Sequence, residues 1–319
     1  MKRYTFLFCL ISSLIFGQTS KHIGFLMDDF YSPRWTKDSS AFASKVRALG
    51  HKVSIRVCDS DTALQHKQVK ELIDLGVTVL VITPEDCKSS RVLVETAHKY
   101  NVPVIAYDRI ILNSDVDYYI SFDASEVGEI QAQFIVDSLH GKGNVILING
   151  PTSDENANVF RQGQLKVLKP YVDAGKMKIV HDKQISEWTL LEATMETNDF
   201  LSTSNVKIDA AIAANDELAE GVLEAFSFTR SDVKLLITGQ DANPLGCERI
   251  RKGTQGMTVY KPVEDLARQA AILACDIAVG KKITTTSFVN NGKKEVPFIK
   301  LDPMLVNKKN INSVLPLRP

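Results

Sequence analysis

The stretch TVLVITPEDCKSSRVLVETAHKYNVPVIAYDR, residues 78–109, contains the repeating unit of the fold. It opens with a β-branched apolar run (78–83), turns at Pro84, and continues over 89–100 with apolar residues three or four apart. A second β-branched run (102–107) stops at the charged pair Asp108-Arg109. Runs this apolar, with no polar alternation, suit strands covered on both faces, and the helical spacing between them supplies one of the covers. Strand, helix and strand in this order form the crossover unit of a parallel sheet.

The same rhythm extends in both directions. Toward the amino terminus lie strand-like runs at 22–27 (HIGFLM) and 52–57 (KVSIRV), with helical spacing over 35–49 and 62–75. Beyond Arg109 comes 118–122 (YYISF), followed by a helical stretch over 125–139. The alternation then restarts, with runs at 144–149, 178–182, 209–214, 234–238 and 256–260. Helices are expected near 158–174, 190–202, 217–228, 244–252 and 264–280. Ten such strands are too many for one simple sheet of typical size, so two sheets of about five are expected. The expected class is α/β, with two doubly wound parallel-sheet lobes joined by a hinge. The first lobe is assigned 21–122 plus 262–290 and the second 123–261 plus 291–319. No Gly/Ser- or Pro-rich linker separates them, so short crossings should join the lobes.

The 319 residues are 44% apolar and 24% charged, an ordinary globular profile. Lysine and arginine (38) balance aspartate and glutamate (38), so no overall field attracts nucleic acid or an anionic membrane. A neutral, polar ligand fits best. Residues 1–20 stand apart: Met1-Lys2-Arg3 precedes an apolar run from Thr5 to Phe16, the layout of a secretory signal. Ile15 and Gly17 make an unconvincing cleavage site, which leaves a retained membrane tether as the second reading. Either places the protein outside the cytoplasm, in the periplasm or on the cell exterior. Cys58, Cys87, Cys247 and Cys275 show no C-x-x-C spacing and read as buried thiols; no disulfide is assignable.

Open α/β sheets bind ligands beyond the carboxyl ends of their strands, which turns the strand list into a list of candidate residues. The first run leads into 28–35, the fourth into Asp108-Arg109, and the sixth into 150–156. Later runs lead into Glu187-Trp188, Asn215-Asp216, Gln240-Asp241 and Lys261-Pro262. Most of these are hydrogen-bonding or aromatic groups. Buried sugar hydroxyls must be paired, because an unsatisfied one costs about 1–3 kcal/mol. Arginine, aspartate, asparagine and lysine supply those bonds, and indoles cover the C–H faces of the ring. The two tryptophans, Trp35 and Trp188, fall one in each half. Plainer roles are open for several of these residues. Trp35 can pack as a helix-start residue, Arg34 can sit on the surface, Arg109 can pair with Asp241, and Asn215-Asp216 can cap a helix.

The segments DDFYSPRWTKD (28–38), AYDR (106–109), YYISFD (118–123) and FRQGQLKVLKPYVDAGK (160–176) resemble the D-xylose-binding proteins of bacterial ABC importers, within the type I periplasmic binding proteins. AAND (213–216), TGQDAN (238–243) and GTQGMTVYKP (253–262) extend the resemblance over nearly the whole chain. It implies sugar contacts by Arg34, Trp35 and Arg109 in the first lobe. It implies Asp154, Asn156, Trp188, Asn215 and Asp241 in the second, and Lys261 at the crossing. Glu155 departs from the family's asparagine, and Glu217 and Glu220 replace small residues beside Asn215-Asp216.

The partners implied are D-xylose or a related monosaccharide and an ABC permease, with a sensor kinase or chemoreceptor as the alternative. The protein is expected to act as a monomer, without cofactor or metal. An enzyme is disfavoured because there is no G-x-G-x-x-G after a strand, no Walker loop and no G-x-S-x-G. The six histidines are also scattered away from the strand ends. A sugar-responsive repressor would need a DNA-binding headpiece, for which the signal-like segment leaves no room.

Overall fold

The computed structural model describes residues 19–30, 33–229 and 234–315. The signal-like run therefore lies outside the described residues. Among the described residues the first sheet has seven strands. Five come from the amino-terminal half: β1 (His22–Met27), β2 (Lys52–Val57), β3 (Val79–Ile82), β4 (Val104–Tyr107) and β5 (Tyr118–Phe122). These pair in parallel, as their continuous apolar runs require, and β3 and β4 are buried at every position.

Helices α1 (Pro33–Ala48), α2 (Thr62–Asp74) and α3 (Arg91–His98) cover its two faces together with α9 (Val263–Ala278), which returns from the second half to pack beside α1. One face is built around Phe25, Phe42, Val46, Tyr107 and Leu266, the other around Leu72, Leu80, Leu93 and Val104.

The second sheet is the parallel set β7-β6-β8-β9, formed by β6 (Gly143–Asn149), β7 (Met177–Gln184), β8 (Ala210–Ala213) and β9 (Leu236–Ile237). Its covers are α4 (Ala124–Ser138), α5 (Glu155–Asp173), α6 (Leu190–Thr203) and α7 (Asp216–Thr229). Helices α4 and α5 touch backbone to backbone. A Cβ on Gly128 would lie 2.0 Å from the Phe160 carbonyl oxygen, and one on Gly163 2.3 Å from that of Ser125. That close approach sets the spacing between α4 and α5, the helix that carries Asn156. After α8 (Pro244–Lys252), β10 (Met257–Tyr260) is joined to this sheet by a bridge between Gln240 and Val259.

The carboxyl-terminal segment corrects the expected lobe boundary. The sequence reading places residues 291–319 in the second lobe, yet β12 (Glu295–Leu301) pairs in parallel with β5 of the first sheet. The short β11 (Phe288–Asn290) runs antiparallel outside it. Pro297 argues against a strand when the sequence is read alone. However, pairing with β5 begins only at Phe298, so the missing N–H removes no rung of that ladder. The chain crosses back at Asp302-Pro303 to form β13 (Met304–Asn307), antiparallel to β10, and ends its described part after α10 (Ile311–Val314). Within the described residues the chain therefore passes between the sheets three times, at Asp123, at Lys261-Pro262 and at Asp302-Pro303. At the first and third passages the strands are tied together, since the Asp123 N–H donates to the Leu301 carbonyl at 3.1 Å.

Cys58, Cys87, Cys247 and Cys275 are buried free thiols in different parts of the fold. Burial pushes Cys58 and Cys87 up to about 12, so neither carries reactive thiolate near neutral pH.

Candidate functional site between the two lobes

The carboxyl ends of both sheets face a cleft of about 630 Å³ between the lobes. All nine candidate residues line it: Arg34, Trp35, Arg109, Asp154, Asn156, Trp188, Asn215, Asp241 and Lys261.

On the first lobe, Arg34 and Trp35 occupy the first turn of α1. The indole of Trp35 is only 4% exposed and packs into the core beside Phe42 and Tyr107, so its helix-packing role is real. The Arg34 guanidinium lies over that indole, 4.2 Å from the ring centroid, and Nη2 donates to Asp108 Oδ2 at 2.7 Å. Arg34 is thus a floor residue of the cleft and not a surface one. Arg109 Nη1 donates to Asp28 Oδ2 at 2.6 Å and to the Pro84 carbonyl at 3.2 Å. Its Nε lies 3.0 Å from Asp154 Oδ2 of the second lobe, close enough for an ion pair. Arg109 therefore pairs with Asp28 and Asp154, while Asp241 pairs with Lys261, whose Nζ is 3.1 Å from Oδ1.

These charges set each other's protonation. Burial alone would raise the pKa of Asp108, but Arg34, Lys261 and Arg109 hold it below the ordinary carboxylate value. The backbone at two strand ends takes the left-handed conformation, with φ +62° at Asp108 and +86° at Asp241. Aspartate tolerates that region better than most residues do. At Asp108 the turn leaves the carbonyl accepting from the Tyr119 and Ser121 hydroxyls and from Asn156 Nδ2 of the facing lobe.

On the second lobe the site residues stand at helix starts. Asp154 is the N-cap of α5, accepting from the Asn156 N–H at 3.0 Å, and Trp188 Nε1 donates to its other oxygen at 3.2 Å. The Trp188 ring lies flat on Gly150, where an added Cβ would come within 2.3 Å of it. Only glycine allows that contact. Asn215 accepts the Leu218 N–H at 2.8 Å, so it caps α7 while lining the cleft. Its neighbour Asp216 points away from the cleft. Buried almost completely, it accepts from Gln255 Nε2 and from the Asn243 N–H. Burial pushes its pKa up to about 7 despite those bonds. Glu155 does not line the cleft, because its carboxylate accepts from Asn158 Nδ2 at 2.7 Å.

Several lining residues escaped the sequence reading: Asp59 and Ser60 after β2, Glu85 after β3, and Phe160 on α5. The strand-end rule covers the first three, which follow runs already recognised. Phe160 lies one and a half turns into a helix, where nothing in the pattern separates a cleft-facing ring from a core one. Among the described residues, buried side-chain atoms without a hydrogen-bond partner include Arg34 Nε, Arg109 Nε, Gln240 Oε1 and Asp241 Oδ1, all on cleft-lining residues. Buried polar atoms that lack a hydrogen bond mark a place where further hydrogen bonds are wanted.

Two parallel-sheet lobes with a polar cleft across their strand ends define a bilobed binding protein, a class whose lobes can hinge around a ligand. The chain belongs to the periplasmic binding protein family: the family's model, described as a periplasmic binding protein domain, matches residues 23–282. It is 40% identical to the D-xylose-binding periplasmic protein of Escherichia coli K12, over 99% of this chain and 97% of that protein. Among solved structures, an ABC transporter solute-binding protein from Clostridium phytofermentans with bound β-D-glucose superposes with TM-score 0.86 at 28% identity, covering 92% of this chain and 96% of that one. A carbohydrate transporter solute-binding protein from Chloroflexus aurantiacus in complex with D-glucose gives 0.85 at 30% identity, covering 93% and 96%.

Proposed function

We propose that this protein binds one molecule of D-xylose between its lobes outside the cytoplasm and presents it to an ABC permease, without chemical change. The observation that supports this best is the make-up of the cleft. Three cations, Arg34, Arg109 and Lys261, are each paired with carboxylates, and two indoles and three amides stand among them. Carboxylates outnumber cations along its walls, which disfavours anionic ligands. A neutral polyol suits it, since hydroxyls both donate to the carboxylates and accept from the guanidinium and amide groups. The relative bearing the D-xylose name is 40% identical over nearly the full chain, which favours the pentose over the glucose held by the less similar solved proteins.

The mechanism follows from the two-sided site. A ligand bonded to both lobes at once has higher affinity for the closed arrangement and shifts the hinge equilibrium toward it. The permease would then recognise surfaces flanking the cleft in their closed spacing. Calorimetric titration of residues 21–319 with D-xylose, D-glucose and D-ribose tests the reading. One site with xylose bound most tightly is expected; tighter binding of glucose or ribose would overturn the pentose assignment.

A further inference from the structure

Beneath Arg34 lies a carboxylate that does not itself line the cleft. Asp38, one helical turn further along α1, is 0% exposed. Its Oδ1 accepts the hydroxyl of Tyr107, itself fully buried on β4. Its Oδ2 has no hydrogen-bond partner and faces Arg34 Nε at 3.8 Å, and that Nε is also unpartnered. A buried, ionised carboxylate is costly unless it is paired and hydrogen-bonded. Here Arg34 is gripped from one side by Asp108 and backed from the other by Asp38, over the flat face of Trp35.

We propose that Asp38, held by Tyr107, is a positioning residue for Arg34: its negative charge keeps the guanidinium aimed into the cleft, and its protonation releases that grip and weakens sugar binding. This rests on the reading of the cleft as a sugar site. The charged and titratable groups around Asp38 are few. Arg34 comes from its own helix, Tyr107 from β4, Asp108 from the turn just after it, and Lys261 from the crossing into α9. The neighbouring β1 and α9 contribute Phe25, Met27, Leu266 and Ala270 to the core there. Burial pushes Asp38 up to about 6, against the opposing pull of Arg34 and Tyr107. An added proton on Oδ2 would meet the Arg34 Nε–H, setting donor against donor.

The sign is fixed by this geometry. If the binding-competent form carries ionised Asp38, affinity is full well above pH 6 and falls as the pH drops through it, by up to about tenfold at pH 5. Xylose titrations of the wild type and of Asp38→Asn at pH 7.5, 6 and 5 provide the test. The variant, with an uncharged amide facing Arg34, is expected to bind weakly at every pH and to lose the pH dependence. Tyr107→Phe keeps the charge but removes the bond that favours it. It should therefore fold with the site intact and shift the midpoint of the pH profile upward, giving a second test if Asp38→Asn is unstable. An Asp38→Asn profile as steep as wild type, or equal wild-type affinity at pH 5 and 7.5, would overturn the proposal while leaving the sugar site standing. Absence of xylose binding at pH 7.5 would overturn the site reading, and this proposal with it.

Discussion

The two walls of the cleft are built by different means. On the first lobe the facing side chains hold one another: Arg34 is fixed by Asp108, and Arg109 by Asp28. On the second lobe they are held by backbone, with Asp154 capping α5 and Asn215 capping α7. The first arrangement is a cluster of buried charges in which removing one member strands its partners. The second uses residues whose oxygens already have a local task, so that binding and folding share the same atom. Asp154 belongs to both, as a cap on its own lobe and as the counter-ion of Arg109 across the cleft.

If that contrast is right, the largest loss should follow from Arg109→Ala. Removing the guanidinium leaves Asp28 and Asp154 buried without their cation, and breaking such a pair typically costs about 3–5 kcal/mol. Xylose binding should vanish as well. Part of the lost stability should return on acidification, as the stranded carboxylates take up protons. Denaturant unfolding of the variant and wild type at pH 7.5 and 5 checks this; equal stability at pH 7.5 would show that the first wall is not a mutually dependent cluster.

A smaller effect separates the two tasks of the second wall. Asn215→Ala should cost about 1 kcal/mol of stability through the lost cap, together with affinity. Asn215→Ser restores an oxygen able to accept the Leu218 N–H, so stability should return to within a few tenths of a kcal/mol. Affinity should stay at least about 1 kcal/mol weaker, because the amide that would meet a sugar hydroxyl is still missing. Thermal unfolding read beside titration makes the distinction. Full recovery of both by serine would reduce Asn215 to a cap.

The contrast between the walls also explains what the sequence could reveal. Strand runs such as 78–83 and 102–107 are strongly periodic, and the strand-end rule then led to Arg109, Asp154 and Asp241 with no knowledge of contacts. Pairing was not legible in the same way. Which carboxylate meets Arg109 depends on how two lobes face each other, and the partners Asp28 and Asp154 lie 81 and 45 positions from it in the chain. The extension of the first sheet beyond β5 is hidden because EVPFIKL carries a proline and charges that hydropathy reads as a breaker. Asp38 stayed unremarked as one more polar residue of an amphipathic helix, since only the packed structure puts it behind Arg34.

Enclosure of a sugar between these unlike walls can be followed through the two tryptophans. Trp35 is buried in the first lobe, whereas Trp188 is half-buried on the second and lines the cleft. Acrylamide, being neutral, reaches an acidic cleft without repulsion. Saturating xylose should reduce acrylamide quenching of the wild-type fluorescence, with the midpoint found by calorimetry. In Trp188→Phe the remaining emission, from Trp35, should be weakly quenched and unaffected by sugar. Wild-type quenching that is the same with and without saturating xylose would contradict the account.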